Sequence, residues 1–462
     1  MIKLFNQYFR VPFLILAGVE FSLATLAVYL GYVLRTSMND WDGGVLSPMA
    51  VVVVSSSLIF SMLAMGLYQS RSREGYEGVI VRLGASYAAA LILISLFFYI
   101  FPFVHLGRGV LGLALITSFF SMLIVRFIFM KTVDEQALKR RVLVLGAGER
   151  AAFIFQRIRR KSDQRGFFIV GYVPVSEQVQ RIPGEYTLLV EGGLRDFVIN
   201  NQIDEVVVAI DDMRQNFPAD ALLDLKLTGT VDVVDVVTFF EREMGKIETR
   251  MLYPGWLIFS EGFARGAIRS LIERMFDLAS SFLILMLTWP VMLLTMLAIK
   301  LEEGKDAPLF YKQTRVGFNG RLFDVLKFRS MRQDAEKHGA VWAQQNDPRV
   351  TKVGAFIRKY RIDELPQVVN VFVGEMAFVG PRPERPEFVK DLSEKIPYFS
   401  ERHRVKPGIT GWAQLCYPYG ASDEDAEQKL QYDLYYVKNH NLLLDLIILI
   451  QTVEVVLFGR GR

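Results

Sequence analysis

Cysteine is almost absent: Cys416 stands alone in 462 residues. That excludes a disulfide within the chain and any zinc site built on cysteine pairs, and it suits the cytosol. Four histidines leave no histidine-rich metal tract. Excess charge of either sign is also missing, with 53 basic and 49 acidic residues for a net +4. So close a balance, without an RRM, helix-turn-helix or zinc-finger pattern, speaks against a nucleic-acid partner. No small-residue cleavage site follows the first apolar stretch, which therefore reads as an anchor that stays. What the chain has in quantity is apolar surface. It is 52% hydrophobic with a mean hydropathy of +0.27, high for a soluble protein. Its length suits about three domains.

Four apolar stretches open the chain, at 12–34, 48–69, 84–104 and 109–130. Each is close to the ~20 residues that span a bilayer. Lys3 and Arg10 precede the first, Arg71, Arg73 and Arg82 lie around the second loop, and Lys131, Lys139, Arg140 and Arg141 follow the fourth. The positive-inside rule then places the N-terminus and everything after 131 in the cytoplasm. Glu20, inside the first span, reads either as a functional carboxylate or as a packing contact between helices. No chain of ionisable residues runs through the spans, which weakens a transporter reading.

Residues 141–240 have α/β order. The strand pattern 141–148 runs into a helix near Glu149, placing Gly146, Gly148 and Ala151 in a G-x-G-x-x-A spacing, and further strand patterns follow at 167–173, 205–210 and 231–237. This is Rossmann-like order. Nucleotide binding there stays open, because the second strand ends in Val173-Pro174 without a ribose-binding acid and no Tyr-x-x-x-Lys pair occurs. A linker is expected near 241–265.

The segment 275–301 is long enough to cross the membrane. Pro290 in its middle predicts a kink. Basic residues flank both ends, Arg265, Arg269 and Arg274 before it and Lys300, Lys305, Lys312 and Arg315 after it. That pattern predicts a re-entrant hairpin with both ends in the cytoplasm; a kinked spanning helix is the competing expectation. Beyond it, 309–316 and 321–328 flank Gly317-Phe318-Asn319-Gly320 as a β-hairpin. A polar helical stretch follows at 332–345. The apolar stretch 441–458 contains Asp445, Gln451 and Glu454 and leads to Arg460 and Arg462, the pattern of an amphipathic helix lying on a membrane surface.

The chemistry concentrates in 353–385. Asp363 and Glu364 stand directly before Leu365-Pro366 and an apolar helical run, with Asp363 at the expected N-cap. Such a helix start favours an anion. Two carboxylates beside a phosphate would repel it unless a cation intervened, and Mg²⁺ prefers such a donor set. Arg382, between Pro381 and Pro383, is held extended and presents a guanidinium shaped to grip phosphate. Lys327 and Arg329, together with Arg358, Lys359 and Arg361, are placed to help. An acidic helix cap with solvated basic residues is the plainer account of the same pattern.

Five motifs in order carry a family resemblance. They are Phe310-Tyr311-Lys312-Gln313, Lys327-Phe328-Arg329-Ser330-Met331, Asp363-Glu364-Leu365-Pro366-Gln367, Val379-Gly380-Pro381-Arg382-Pro383 and Pro407-Gly408-Ile409-Thr410-Gly411-Trp412. Over about 266–462 the chain resembles the bacterial sugar transferases, the monotopic phosphoglycosyl transferases, and in its full layout their large members. Trp289 before Pro290, where many relatives have serine, and Tyr360-Arg361 depart from the pattern.

The resemblance implies three domains. A four-helix transmembrane bundle (1–133) and a Rossmann-like cytoplasmic domain (138–255) precede a mainly helical catalytic domain (266–462), whose re-entrant helix 275–301 breaks at Pro290. It also implies transfer of a hexose 1-phosphate from a UDP-sugar to undecaprenyl phosphate at the cytoplasmic face of the bacterial inner membrane. UMP is released, and an exopolysaccharide, capsule or O-antigen repeat is begun. Asp363 would form a covalent phosphosugar and Glu364 would hold or position Mg²⁺, the two carboxylates forming the metal site. Arg382, Lys327, Arg329 and Pro381 would bind phosphate or substrate, with Asp433 in support. The middle domain could support a homodimer. The rival readings are a membrane-tethered nucleotide-sugar-modifying enzyme and a scaffold, either acting through the Rossmann-like domain.

Overall fold

A computed structural model describes the chain except for residues 1, 5–6, 10, 39–45, 69–75, 105, 133–138, 159–165, 176–179, 191–192, 213–216, 228, 230, 253–254, 257–265, 305, 333–348, 419, 421 and 459–462. Arg10, Arg71, Arg73, Arg265, Lys305, Arg460, Arg462 and most of the polar stretch 332–345 lie outside the described residues. The chain forms two compact units, Met1–Met244 and Gly245–Arg462.

In the first unit a short antiparallel pair, β1 (Ile2–Leu4) and β2 (Gln7–Phe9), precedes the helices α1 (Val11–Met38), α2 (Pro48–Ala64), α3 (Tyr76–Ile100) and α4 (Arg108–Thr132). Among the described residues four helices are long and apolar enough to cross a membrane: Val11–Ser37, Tyr76–Ile100, Arg108–Lys131 and Ala267–Glu303. The set differs from the expected one in its second member. The apolar stretch 48–69 yields a 17-residue helix, because the chain turns at Met65–Tyr68. At 1.5 Å per residue α2 is about 26 Å long, short of the ~30 Å hydrocarbon core.

Small residues draw α1 and α4 together. A Cβ on Gly31 would stand 2.9 Å from the Val110 carbonyl oxygen, so only glycine permits this approach. Glu20 is fully buried and pairs with Arg126 of α4, Nε to Oε1 at 2.7 Å, while Tyr68 donates to its other oxygen. The packing role expected for Glu20 is the one observed. Its partner lies 106 residues away.

The same unit holds a four-stranded, all-parallel sheet in the order β4-β3-β5-β6. Its strands are β3 (Arg140–Leu145), β4 (Phe167–Val173), β5 (Glu205–Val208) and β6 (Asp232–Asp235). Helices α5 (Glu149–Arg157), α6 (Leu194–Asn200), α7 (Ala219–Leu227) and α8 (Val236–Met244) connect and follow them. β5 is buried along its whole length, as a central parallel strand covered on both faces requires. Gly146, at φ +132°, lets the Ala209 carbonyl oxygen come within 2.3 Å of where a Cβ would sit. The first amides of α5 are taken by the chain itself: Glu149 N and Arg150 N donate to the Asp211 carboxylate at 2.7 and 2.9 Å.

The second unit begins with residues read from sequence as linker. Residues 245–251 instead pack against a helix of this unit: Ile247 N donates to the Gln431 carbonyl and Lys246 Nζ to the Gln431 side chain at 2.8 Å. The long helix α9 (Ala267–Glu303) follows, 37 residues or about 55 Å. Pro290, where a kink is expected, lies inside this helix.

Both ends of α9 are tied to the same unit. Arg274 donates to the Val371 and Phe372 carbonyls. Glu302 accepts from Lys352 N and Val353 N at 2.8 and 2.9 Å. Ile299 is buried with Phe328 and Ile357. Between them Phe282, Met286, Leu287, Trp289, Leu293 and Leu294 are exposed.

The remaining elements are the strands β7 (Phe310–Val316) and β8 (Leu322–Phe328), the helices α10 (Lys352–Lys359) and α11 (Gln367–Val373), β9 (Ala377–Val379), α12 (Pro386–Lys395), β10 (Gly408–Thr410), α13 (Trp412–Cys416), α14 (Asp423–Asn439) and α15 (Leu442–Phe458). β7 and β8 form the expected hairpin. In α15 Asp445 and Thr452 face the rest of the unit. Asp445 is buried against the Tyr436 hydroxyl at 2.7 Å, and Thr452 meets Thr410 at 2.7 Å. Those buried hydroxyls offer hydrogen bonds that make the inward orientation the satisfied one. The Glu454 side chain lies outside the described residues.

Candidate active site

The site is assembled by the turn between α10 and α11. Thr351 caps α10 by accepting from Gly354 N. At the other end Arg361 adopts the left-handed conformation, φ +57°. That reversal leads into a tight 3₁₀ turn, Ile362–Glu364. Asp363 therefore lies inside this turn and not at the N-cap of α11, which is Pro366. The turn's own bonds, Glu364 N to Arg361 O and Leu365 N to Ile362 O, already use the amides that an N-cap would have left to an anion. The positive charge at the site comes from side chains instead.

Asn370 orients the first of them. Its amide accepts from Leu326 N and donates to the Asp324 carbonyl and to Glu375, clamping β8 to α11. Lys327, next along β8, then places its Nζ 3.0 Å from Glu364 Oε1. Arg382 Nη2 approaches the same oxygen at 3.9 Å, and Arg361 Nη1 lies 3.9 Å from Oε2. Burial works to raise the Glu364 carboxyl, but Lys327, Arg382 and Arg361 overcome it and hold it at about 2. Asp363 goes the other way: burial and the charge of Glu364 push its carboxyl up, against Lys327 and the nearby arginines. Burial likewise lowers Lys327, which Glu364 opposes. Asp363 is 8% exposed, and its Oδ1 has no hydrogen-bond partner among the described residues.

Arg382 stands on the loop that leaves β9. β9 and β10 pair in parallel, and the pairing continues through Gly380 N to Thr410 O and Gly408 N to the Pro381 carbonyl. A Cβ on Gly408 would lie 2.1 Å from Gly380 N, which accounts for glycine in both motifs.

Lys327, Asp363, Glu364 and Arg382 thus come together. Arg329 does not join them; it stands one residue past the end of β8, where its Nε donates to the Pro308 carbonyl at the open end of the hairpin. Pro381 contributes its carbonyl to the loop's frame. Asp433 is one link removed, paired with Arg402 at 2.7 Å. Asn370 and Arg402 were not singled out from sequence. The available signals were a lone amide in the apolar run 368–373 and a basic cluster, 402–406, just before Pro407-Gly408.

Residues 268–459 match the family Bacterial sugar transferase. A UDP-glucose:undecaprenyl-phosphate glucose-1-phosphate transferase of Xanthomonas campestris pv. campestris is 27% identical over 98% of this chain and 96% of its own length. An undecaprenyl-phosphate glucose phosphotransferase of Komagataeibacter xylinus is 32% identical over 78% of this chain and 66% of its own length. A UDP-N-acetylgalactosamine-undecaprenyl-phosphate N-acetylgalactosaminephosphotransferase of Aeromonas hydrophila is 45% identical over 42% of this chain, a stretch that is 45% of that protein's length. The chain belongs to the bacterial sugar transferase family.

Proposed function

We propose that this chain transfers a hexose 1-phosphate from a UDP-sugar to undecaprenyl phosphate at the cytoplasmic face of a bacterial inner membrane, beginning a surface-polysaccharide repeat. The observation that carries the reading is Asp363, a buried carboxylate with an unpartnered oxygen, beside a second carboxylate already neutralised by Lys327. The names of the relatives above support the substrate classes.

In the proposed route an Asp363 oxygen attacks the β-phosphorus of the donor. The bond from that phosphorus to the bridging oxygen breaks, and UMP leaves with the electron pair. A phosphate oxygen of the lipid then attacks the same phosphorus and the Asp363 carboxylate departs, so each substrate uses one phosphate pocket in turn. Lys327 and Arg382 stabilise the phosphate charge in both steps.

Mg²⁺ fits the donor set. Among the described residues Asp363 Oδ1 is without a partner, and Mg²⁺ takes one or two carboxylates and completes its shell with water and phosphate oxygens. Asp363 and Glu364 would hold it, Glu364 sharing its charge with Lys327. When bound, the ion supplies positive charge against that of the diphosphate.

A re-entrant course for α9 is supported by the anchoring of both its ends to one unit, since a crossing helix would part them by the ~30 Å hydrocarbon core. A reporter fused after residue 462 is expected to read as cytoplasmic; a periplasmic signal would rule this course out. The parallel order β4-β3-β5-β6 supports a Rossmann-like reading of the middle domain. Asp211 on the first amides of α5 sits where a nucleotide phosphate would bind, which counts against the nucleotide-sugar-modifying alternative.

The test is UMP release in membranes supplied with polyprenyl phosphate and a panel of UDP-sugars. At least one donor should give lipid-dependent UMP, and silence across the panel would end the proposal.

A further inference from the structure

The segment Pro381-Arg382-Pro383 cannot tie itself down in the usual way. Its two prolines have no N–H, so its carbonyls are the handles by which the rest of the unit can hold it. Three different elements take three successive ones. Gly408 N donates to the Pro381 carbonyl at 3.0 Å. Arg402 Nη2 donates to the Arg382 carbonyl at 3.0 Å. Arg315 Nη1 donates to the Pro383 carbonyl at 3.1 Å. The middle handle belongs to the residue whose guanidinium faces Glu364.

Arg402 is suited to that part. It is 6% exposed and lies in the 3₁₀ turn Phe399–Arg404, with its guanidinium over the Phe399 ring at 5.1 Å. The nitrogen that holds the Arg382 carbonyl is also 2.7 Å from Asp433 Oδ2. Asp433 is 2% exposed on α14, a 17-residue helix fixed at its start by a Ser422–Asp425 capping box. Asp433 cancels the charge of Arg402, so the pair adds no net repulsion to the cationic side of the site.

We infer that Arg402 is a positioning residue for the transfer reaction: braced by Asp433, it sets the main chain of Arg382 and so the reach of that guanidinium to the donor phosphate. The inference rests on Arg382 as a phosphate ligand in the function proposed above. Arg402 itself does not touch substrate.

The test uses the full-length protein in lipid nanodiscs. Arg402→Gln should lower kcat/KM for the UDP-sugar by about 10- to 100-fold, the scale of an ångström of misplacement. In an Arg382→Gln background the same change should cost less than about twofold, because it acts through a group already removed. Hydrogen exchange should quicken at least about tenfold in a peptide covering 379–385 and stay unchanged across 423–439. Should Arg402→Gln not accumulate, Arg402→Lys keeps a charge facing Asp433 while losing the planar fork, and is expected to show the same pattern more weakly. An undiminished loss in the Arg382→Gln background, or unaltered exchange in 379–385, would overturn the inference. If the wild type releases no UMP from any donor, the transferase reading falls, and hydrogen exchange alone decides whether Arg402 holds the loop.

Discussion

Asp363→Asn is expected to cut UMP release by at least about a thousandfold, the scale for loss of a nucleophile rather than of a binding contact, while the protein stays in the membrane in normal amount. The environment of Asp363 is what makes this substitution informative. Asparagine has nearly the same shape, and one of the two oxygens has no hydrogen bond to lose. Burial and Glu364 raise the Asp363 carboxyl above its ordinary value, so holding it ionised works against folding. The ionised group therefore costs stability as pH rises through that raised value. Asparagine removes this cost, and the variant should melt at or above the wild-type temperature.

A catalytic loss without a stability loss separates chemistry from folding. Withholding the lipid should also leave radiolabelled sugar phosphate on the wild type and none on Asp363→Asn. Retained turnover in the variant would move the nucleophile elsewhere.

Lys327→Met should be the next most damaging change, lowering kcat/KM roughly a hundredfold. Removing one partner of a buried pair costs about 3 kcal/mol, and more where both groups are fully dry. Lys327 and Glu364 are 23% and 14% exposed as side chains, which favours the lower figure. The pH dependence supplies a second reading. Burial alone would raise Glu364; Lys327 is the first of the charges that hold it at about 2. Because its native value is depressed, the stability it contributes is complete above its unfolded value and is lost as pH falls toward 2. Without Lys327 that window moves up, so the acid limb of the activity profile should shift to higher pH. Lys327→Arg should recover part of the loss. A methionine variant within about threefold of wild type, with an unmoved acid limb, would show that Lys327 does not neutralise the site.

Features set by neighbours in sequence were legible in advance. The hairpin around Gly317–Gly320, the four middle strands and the apolar stretches follow from turn chemistry and hydrophobic runs. The residues of the site were legible for a similar reason, since the acidic pair and Pro381-Arg382-Pro383 are local patterns. The exceptions share a cause. Asp363 was expected at a helix cap, but the left-handed Arg361 makes a 3₁₀ turn first, and no local pattern marks that reversal. The burial of Asp445 depends on a tyrosine of the preceding helix, which hydropathy alone does not pair with it. Arg126 looked like any other basic residue until it met Glu20, and Arg402 like a surface charge until it met Asp433.

Sequence alone therefore determined where the membrane-facing stretches lie, the strand and turn pattern, and which side chains could do phosphate chemistry, because each depends on residue type and short spacing. Tertiary structure decided which of those side chains meet. It made Lys327 the partner of Glu364, left Arg329 outside, and put Arg402 behind Arg382. Such contacts join residues 20 or more positions apart, and only the folded chain, balancing burial against charge pairing, selects among them.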